Sequence, residues 1–326
     1  MHISDGVLSP QVSLACGVMA AAGIGLCVRE HRRGGIDETP RMGLVAAFVF
    51  AAQMVNFPLG FAPVSGHLMG GTLAAVLLGP WGGGLAIAAV LIVQAVLMGD
   101  GALTALGANW VNMGLIGSVA AYPVFVALKN KLGTITASML SAWISVIVSA
   151  AAFALELAFS SSFESFGKIF VWMVLVHAAI AVGEALITGL VLRGVLWSDP
   201  ELVRTEASDR QPHETRSRSI PWLAALLITA AVVVLLAPMA SPYADGLEYV
   251  GERFGFIPED PPTGFEAPLP DYTMPGLPEG RWSTVAAGLI GSVVVLVAGQ
   301  FLTRSLTKSR QTALVGTAPK ERNAST

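Results

Sequence analysis

The sequence predicts an all-α fold, a polytopic bundle of membrane-spanning helices. Composition is the first observation: 54% of the 326 residues are hydrophobic and 13% are charged, against about 25% charged in soluble domains. Mean hydropathy is +0.66. The second observation is that apolar runs of about 18 or more residues recur along the whole chain, the length a helix needs to cross a bilayer. The third is that basic residues gather in alternate interhelical loops, as the positive-inside rule requires of a multi-pass chain.

The first span runs from about Val7 to Val28 and ends in Arg29, Glu30, His31, Arg32 and Arg33. That basic loop is read as cytoplasmic, so the amino terminus faces out. A second span, Met42 to about Phe57, returns outward and delivers Gly66-His67 to the side that holds His2. Residues 68–98 are apolar but interrupted by Gly79-Pro80-Trp81-Gly82-Gly83-Gly84. Lys129 and Lys131 mark the next cytoplasmic loop, reached by one span over about Leu103 to Leu128. Gly99-Asp100-Gly101 is therefore outside, and residues 68–98 must go in and come back as two arms broken at Gly79-Pro80. An arm that short is tolerated only where protein shields it from lipid, which places it inside the bundle. Ile135 to Phe159 goes outward and Ile169 to Leu192 returns.

A polar, basic stretch over 198–219 reads as a cytoplasmic linker after a membrane domain over 1–197. A two-helix module follows over 220–304, with spans from Ile220 to about Ala240 and from Trp282 to about Leu302. Between them, the outer loop 241–281 carries eight acidic residues. It reads equally as a cation-concentrating field and as a solvated loop. Residues 305–326 form a polar tail on the cytoplasmic side. Of the 19 Lys and Arg, only Lys168, Arg253 and Arg281 then fall outside. The reading is a cell-membrane, multi-pass protein with its amino terminus extracytoplasmic and its carboxy terminus cytoplasmic.

The chemistry-bearing stretch is Met1-His2-Ile3-Ser4-Asp5-Gly6-Val7. A histidine directly after a free amino terminus offers three nitrogens to one ion: the amine, the deprotonated His2 amide and His2 Nδ1. They close a five- and a six-membered ring in one plane, a geometry that suits Ni(II) or Cu(II). His2 is too large for ordinary removal of the initiator, so Met1 and its amine are expected to stay. No cleavable signal is apparent, because Asp5 and not a basic segment precedes the apolar run. His67, delivered to the same side, is the natural fourth donor. Ser4 and Asp5 can orient an imidazole from behind.

Ionisable and amide residues inside spans are few: Gln53, Asn56, Gln94, Asn109, Asn112, Glu156, His177 and Glu184. Such residues usually face the bundle interior and mark functional positions. Asn109 and Asn112 share a helix face just inside the loop that holds Asp100, and all three are candidates for a supporting or transport role. His177 and Glu184 also share a face. They read as an interhelix hydrogen bond or subunit contact, or alternatively as a proton relay. Gly17, Ala21 and Gly25 form a small-residue ladder open to another helix of this chain or to a separate subunit. Cys16 and Cys27, eleven residues apart, read as packing. No phosphate loop is present, since Gly167-Lys168 lacks the upstream glycine. Neither a nucleophile–base set nor a basic-aromatic surface for nucleic acid is apparent.

Four segments in order resemble one family. They are Met1-His2-Ile3-Ser4-Asp5-Gly6; Gly66-His67-Leu68 with Gly79-Pro80-Trp81; Gln94-Ala95 with Gly99-Asp100-Gly101 through Asn109 and Asn112-Met113-Gly114; and Gly183-Glu184-Ala185-Leu186-Ile187-Thr188. Over about residues 1–197 the chain resembles the CbiM/NikM family, the substrate-binding (S) subunits of energy-coupling-factor (ECF) transporters for cobalt and nickel. The resemblance implies seven spans there, with Met1 and His2 inserted into the bundle and binding the ion together with His67. The remainder resembles the small accessory subunit of nickel systems, marked by Pro-Asp-Gly-Leu-Glu. Here Ser241-Pro242-Tyr243-Ala244-Asp245-Gly246-Leu247-Glu248 displaces the proline. Implied partners are a transmembrane coupling (T) subunit, two cytoplasmic ATPase subunits and the lipid bilayer.

The resulting expectation is a substrate-capture subunit, not an enzyme. Ni2+ or Co2+ is its cargo, nickel favoured by the amide chelate, and no catalytic cofactor is expected. The alternative is a self-sufficient metal transporter driven by protons through His177 and Glu184.

Overall fold

The computed structural model describes residues 2–34, 39–160, 166–198, 219–258, 265–278 and 280–316. Among the described residues, six helices are long and apolar enough to cross a membrane, and two shorter apolar helices accompany them, Arg41–Gln53 and Leu223–Met239. Helix α1 (Pro10–Gly34) buries only Cys16, Ala20 and Cys27. Its outer face exposes Leu14, Val18, Met19 and Leu26. A helix in water places polar groups on that face; an apolar outer face is the arrangement of a membrane span. The expected all-α, multi-pass bundle is the observed architecture.

Helix α2 (Thr39–Gln53) stops before the expected Phe57. Phe57–Pro58 (β1) instead pairs antiparallel with Ser65–Gly66 (β2), Phe57 opposite Gly66. Pro58 lacks the N–H that a continuing helix would need. This small hairpin turns the chain back so that His67 enters the bundle.

Helix α3 (Gly71–Val93), continued by a π-helical turn over Gln94–Met98, is the interior element. Gly79 breaks it at φ 75°, ψ 167°, backbone open only to glycine. A Cβ on Gly83 would stand 2.7 Å from Ala75 N, whereas an unbroken helix would hold residues eight apart at about 12 Å. The two arms therefore fold against each other, as expected from the Gly79-Pro80 break. Helix α4 (Leu106–Trp110), a π-helical stretch over Val111–Ala120 and α5 (Ala121–Leu132) run on as one element.

Helices α6 (Thr134–Ser160) and α7 (Phe166–Ser198) follow. A buried serine seam on α6 is satisfied by Ser141 Oγ donating to Ala121 O at 2.6 Å and Ser149 Oγ donating to Asn112 O at 2.7 Å. Residues 199–218 of the expected linker lie outside the described residues. Helix α8 (Ser219–Ala231) leads through short turns to α9 (Gly246–Phe254) and α10 (Arg281–Gly316). The acidic loop contains a helix, α9, because Asp245 and Glu248 form a capping box. The tail is helical as far as Gly316, continuing α10 beyond the expected end of its span.

The carboxy-terminal module shares the bundle. A Cβ on Gly299 of α10 would lie 2.8 Å from Gly43 Cα of α2, a close backbone approach of the kind small residues permit in lipid.

Candidate metal-capture site

The first residues enter the bundle instead of trailing from it. Ile3 is 1% exposed, and Val7 and Leu8 are buried. Asn109 clamps Ile3 from both sides: its Oδ1 accepts from Ile3 N at 2.8 Å and its Nδ2 donates to Ile3 O at 3.3 Å. Ala102 N also donates to Ile3 O, at 3.0 Å. This strand-like grip fixes His2, which is 9% exposed. Met1 lies outside the described residues.

Asp100 sits between two glycines of positive φ, Gly99 at 68° and Gly101 at 81°. The turn aims its carboxylate at His2, with Oδ1 3.2 Å from Nδ1. A Cβ on Gly101 would come within 3.0 Å of Asn109 Nδ2 and 3.4 Å of the His2 ring, so the turn, the clamp and the imidazole are packed as one unit. The other Asp100 oxygen, Oδ2, accepts from the Tyr272 hydroxyl at 2.5 Å. Because a carboxylate only accepts, His2 Nδ1 carries the proton in this contact. His2 Nε2 is buried with no hydrogen-bond partner.

His67 follows β2. Its ring stacks on that of His2, with centroids 5.2 Å apart and planes at 12°. His67 Nδ1 lies 3.0 Å from Leu68 O, and Nε2 lies 3.6 Å from Asp245 Oδ2. The segment behind it is held from two helices. Glu184 on α7 accepts from Met69 N at 2.5 Å and Gly70 N at 3.0 Å. Gln53 on α2 donates to Met69 O at 2.8 Å. Gln94 Nε2 then donates both to Gln53 Oε1 at 2.8 Å and to the Tyr272 hydroxyl at 3.2 Å. A continuous chain of hydrogen bonds thus runs from His2 through Asp100, Tyr272, Gln94 and Gln53 to the His67 segment.

Both rings line a cavity of about 290 Å³ whose wall includes Ser4, Asp100, Asp245, Glu248, Asp271 and Tyr272. Burial pushes the His2 imidazole down to about 4 despite the neighbouring Asp100, so at neutral pH it is the neutral form that binds metals. Burial pushes Asp100 up, but the His2 imidazole and Tyr272 hydroxyl outweigh it and hold its carboxyl below the usual range. Burial likewise opposes ionisation of Asp245, yet positive charge around it and the His67 contact hold it well below. The phenol of Tyr272 is raised well above its ordinary value by burial and then by Asp100. Among the described residues, no three His, Cys, Asp or Glu side chains converge as a ready ligand set.

The remaining sequence candidates scatter. Asp5 accepts from the Thr104 hydroxyl, bracing the first loop against the α4 side. Asn112 does not join Asn109 at the rings; it donates to Glu156 on α6 at 3.0 Å. Gly17 packs backbone to backbone on Gly107, while Ala21 and Gly25 are exposed, so only the Ala21–Gly25 end of the ladder is uncovered. His177 and Glu184 are each 1% exposed, so neither presents a subunit contact; their partners lie inside the chain. His177 Nδ1 bonds Met173 O at 2.8 Å while Glu184 is committed to two amides, so the two do not act as a pair.

Asp245, Glu248 and Tyr272 were not foreseen as site residues. The only pointer to the first two was the Asp-Gly-Leu-Glu text, and Tyr272 had none. Gln53 and Gln94 were visible only as amides inside spans.

Comparison with known proteins finds relatives of both parts of the chain. The CbiM family, described as the cobalt uptake substrate-specific transmembrane region, matches residues 2–202, and the PDGLE domain matches residues 220–308. A putative fused nickel transport protein NikMN of Archaeoglobus fulgidus is 32% identical over 93% of this chain and 98% of its own. The fused nickel transport protein NikMN of Rhodobacter capsulatus is 30% identical over 94% and 98%. A crystal structure described as a transition metal transporter is 28% identical, with a TM-score of 0.55, over 61% of this chain and 94% of that one. The chain belongs to the CbiM family of cobalt-uptake transmembrane regions and carries a PDGLE domain behind it.

Proposed function

We propose that this multi-pass membrane protein is the substrate-capture subunit of an ECF-type importer for Ni2+ or Co2+, nickel favoured. The observation that carries the reading is the buried stack of His2 on His67, two imidazoles 65 positions apart held 5.2 Å from centroid to centroid. The Met1 amine, the His2 amide nitrogen and His2 Nδ1 form the chelate, and His67 supplies the fourth nitrogen. His67 offers Nε2, because Leu68 O can only accept and so leaves Nδ1 with the proton. Loading through His2 Nδ1 exchanges its Asp100 contact for the ion, and the displaced protons are released, as in any site whose ligands must be deprotonated. A planar nitrogen set favours Ni(II) over Co(II), and the nickel-transport relatives that share both modules point the same way.

The amino terminus faces out, and the hairpin arms and two shorter apolar helices bring the crossings to nine. A transmembrane coupling subunit and two cytoplasmic ATPase subunits supply the energy, with Ala21 and Gly25 offering small-residue packing to a partner.

The test is Ni2+ binding to the purified full chain, compared with His2→Ala, His67→Ala and a form with one residue added before Met1. Each change is expected to abolish tight binding. Unchanged affinity in the extended form would sink the amine chelate, and unchanged affinity in both histidine variants would sink the capture site itself.

A further inference from the structure

The Asp-Gly-Leu-Glu stretch of the carboxy-terminal module lies at the capture site, and each of its residues has a physical task there. Asp245 Oδ1 accepts from Leu247 N at 2.7 Å and Glu248 N at 2.9 Å, while Asp245 N donates to Glu248 Oε2 at 3.0 Å. That reciprocal capping fixes the carboxylate and starts α9. Gly246 has no room for a side chain: a Cβ would stand 2.4 Å from Ile180 Cδ1 and 3.0 Å from His177 Cε1. Leu247 is fully buried. The segment before it is tied to the His67 hairpin, with Ser65 N donating to Ala244 O at 2.8 Å and Ser65 Oγ to Tyr243 O at 2.8 Å.

All of this construction leaves one Asp245 oxygen, Oδ2, facing His67 Nε2 at 3.6 Å. His67 Nδ1 lies against Leu68 O, so the nitrogen beside the carboxylate is Nε2, the donor in the capture reading above. An ion taken by that nitrogen would stand beside the carboxylate, whose negative charge offsets the ion's own. His2 lies on the same cavity wall.

We propose that Asp245 is the residue that compensates the charge of the captured ion at His67, so that the carboxy-terminal module is a built part of the site. The inference rests on the capture reading above and adds to it a residue from the other module. Asp245 acts as a positioning and charge-balancing residue beside the nitrogen donors. Its requirement is for a doubly positive, nitrogen-seeking ion, and a neutral or singly charged occupant would gain less from it.

Asparagine caps helices as well as aspartate does, so Asp245→Asn removes the charge and keeps the cap. Ni2+ titration of the detergent-purified full chain should show Asp245→Asn weakened about 10- to 100-fold, the usual cost of losing a group that supports a metal ligand, at an unchanged melting temperature. Asp245→Ser, a second neutral cap, should behave alike, whereas Asp245→Ala should lose affinity and melt lower. The visible ligand-field spectrum of the Co2+-loaded chain should differ between wild type and Asp245→Asn, a readout that helix capping alone does not move. Wild-type affinity in either neutral cap variant would overturn the proposal. So would loss of folding in both, since the carboxylate would then serve the fold and not the ion. The His2→Ala and His67→Ala proteins measured alongside separate the two readings: if they lose Ni2+ and Asp245→Asn does not, only the role of Asp245 falls.

Discussion

Replacing Asn109 by alanine should weaken Ni2+ capture without touching any group that binds the ion. Asn109 holds Ile3 through one accepted and one donated hydrogen bond, at 2.8 and 3.3 Å. Two neutral hydrogen bonds are worth about 1 kcal/mol each, and leaving the buried Ile3 N–H without its partner brings the loss to about 2–3 kcal/mol. If all of it falls on docking of the segment that carries His2, affinity drops by about 30- to 150-fold, at 1.4 kcal/mol per tenfold. That is the ceiling, reached once the docked segment is no longer the dominant conformer. Asn109→Asp keeps an acceptor for Ile3 N–H but no donor for Ile3 O, and should fall between. Calorimetric Ni2+ titration of the full chain measures the loss, and a melting curve shows that the bundle persists. An Asn109→Ala protein that stays folded and binds Ni2+ as wild type does would refute the docking argument.

Three further outcomes follow from the same geometry. Gly79→Ala places a side chain at φ 75°, ψ 167°, a strain of about 1–3 kcal/mol, and should lower the melting temperature of a purified protein that still retains its helical circular dichroism. Glu184→Ala leaves the Met69 and Gly70 amides unpaired, and should both destabilise the chain and weaken Ni2+ binding through His67, whereas under a proton-relay reading binding would survive and only transport would fail. For pH, His2 falls from its ordinary 6.5 to about 4, so between those values the unfolded chain binds the extra proton; stability is complete above 6.5 and declines by up to about 3 kcal/mol as pH falls toward 4, and a melting temperature flat from pH 7 to 4 would contradict the buried placement of His2.

The bundle was legible because lipid imposes long apolar runs and alternating basic loops, and because Gly79-Pro80 can only be a break. Counting crossings put His2 and His67 on one side of the membrane, but the stacking of their rings was not legible. The sequence was silent where the third dimension decides. Asn109 and Asn112 share a face on paper, yet the π-helical stretch after Trp110 alters that register; Asn112 meets Glu156 while Asn109 meets Ile3. His177 and Glu184 were paired by spacing along one helix, and each found its partner elsewhere. Asp245 and Tyr272 lie 178 and 205 positions from His67 and are brought in by a loop with no periodic pattern. Nothing local encodes such an approach.

What brings them in is helix packing at the other end of the module. Phe50 of α2 packs where a Cβ on Gly291 would otherwise stand, 2.2 Å away, and Gly43 and Gly299 touch backbone to backbone. These contacts lock α10 along α2, the helix that also carries Gln53. The segment before α10 is fastened at its top, where Leu269 N donates to Leu97 O at 2.9 Å, and Asp271 and Tyr272 accept left-handed backbone at φ 49° and 55°. Such conformations cost about 1 kcal/mol or more per non-glycine residue and persist only where the surroundings over-determine them. The surroundings here are Phe50, tilted against the Tyr272 ring with centroids 6.0 Å apart, and the Gln94 and Asp100 hydrogen bonds. A disturbance of the α2–α10 seam should therefore be felt at His2 through Tyr272 and Asp100.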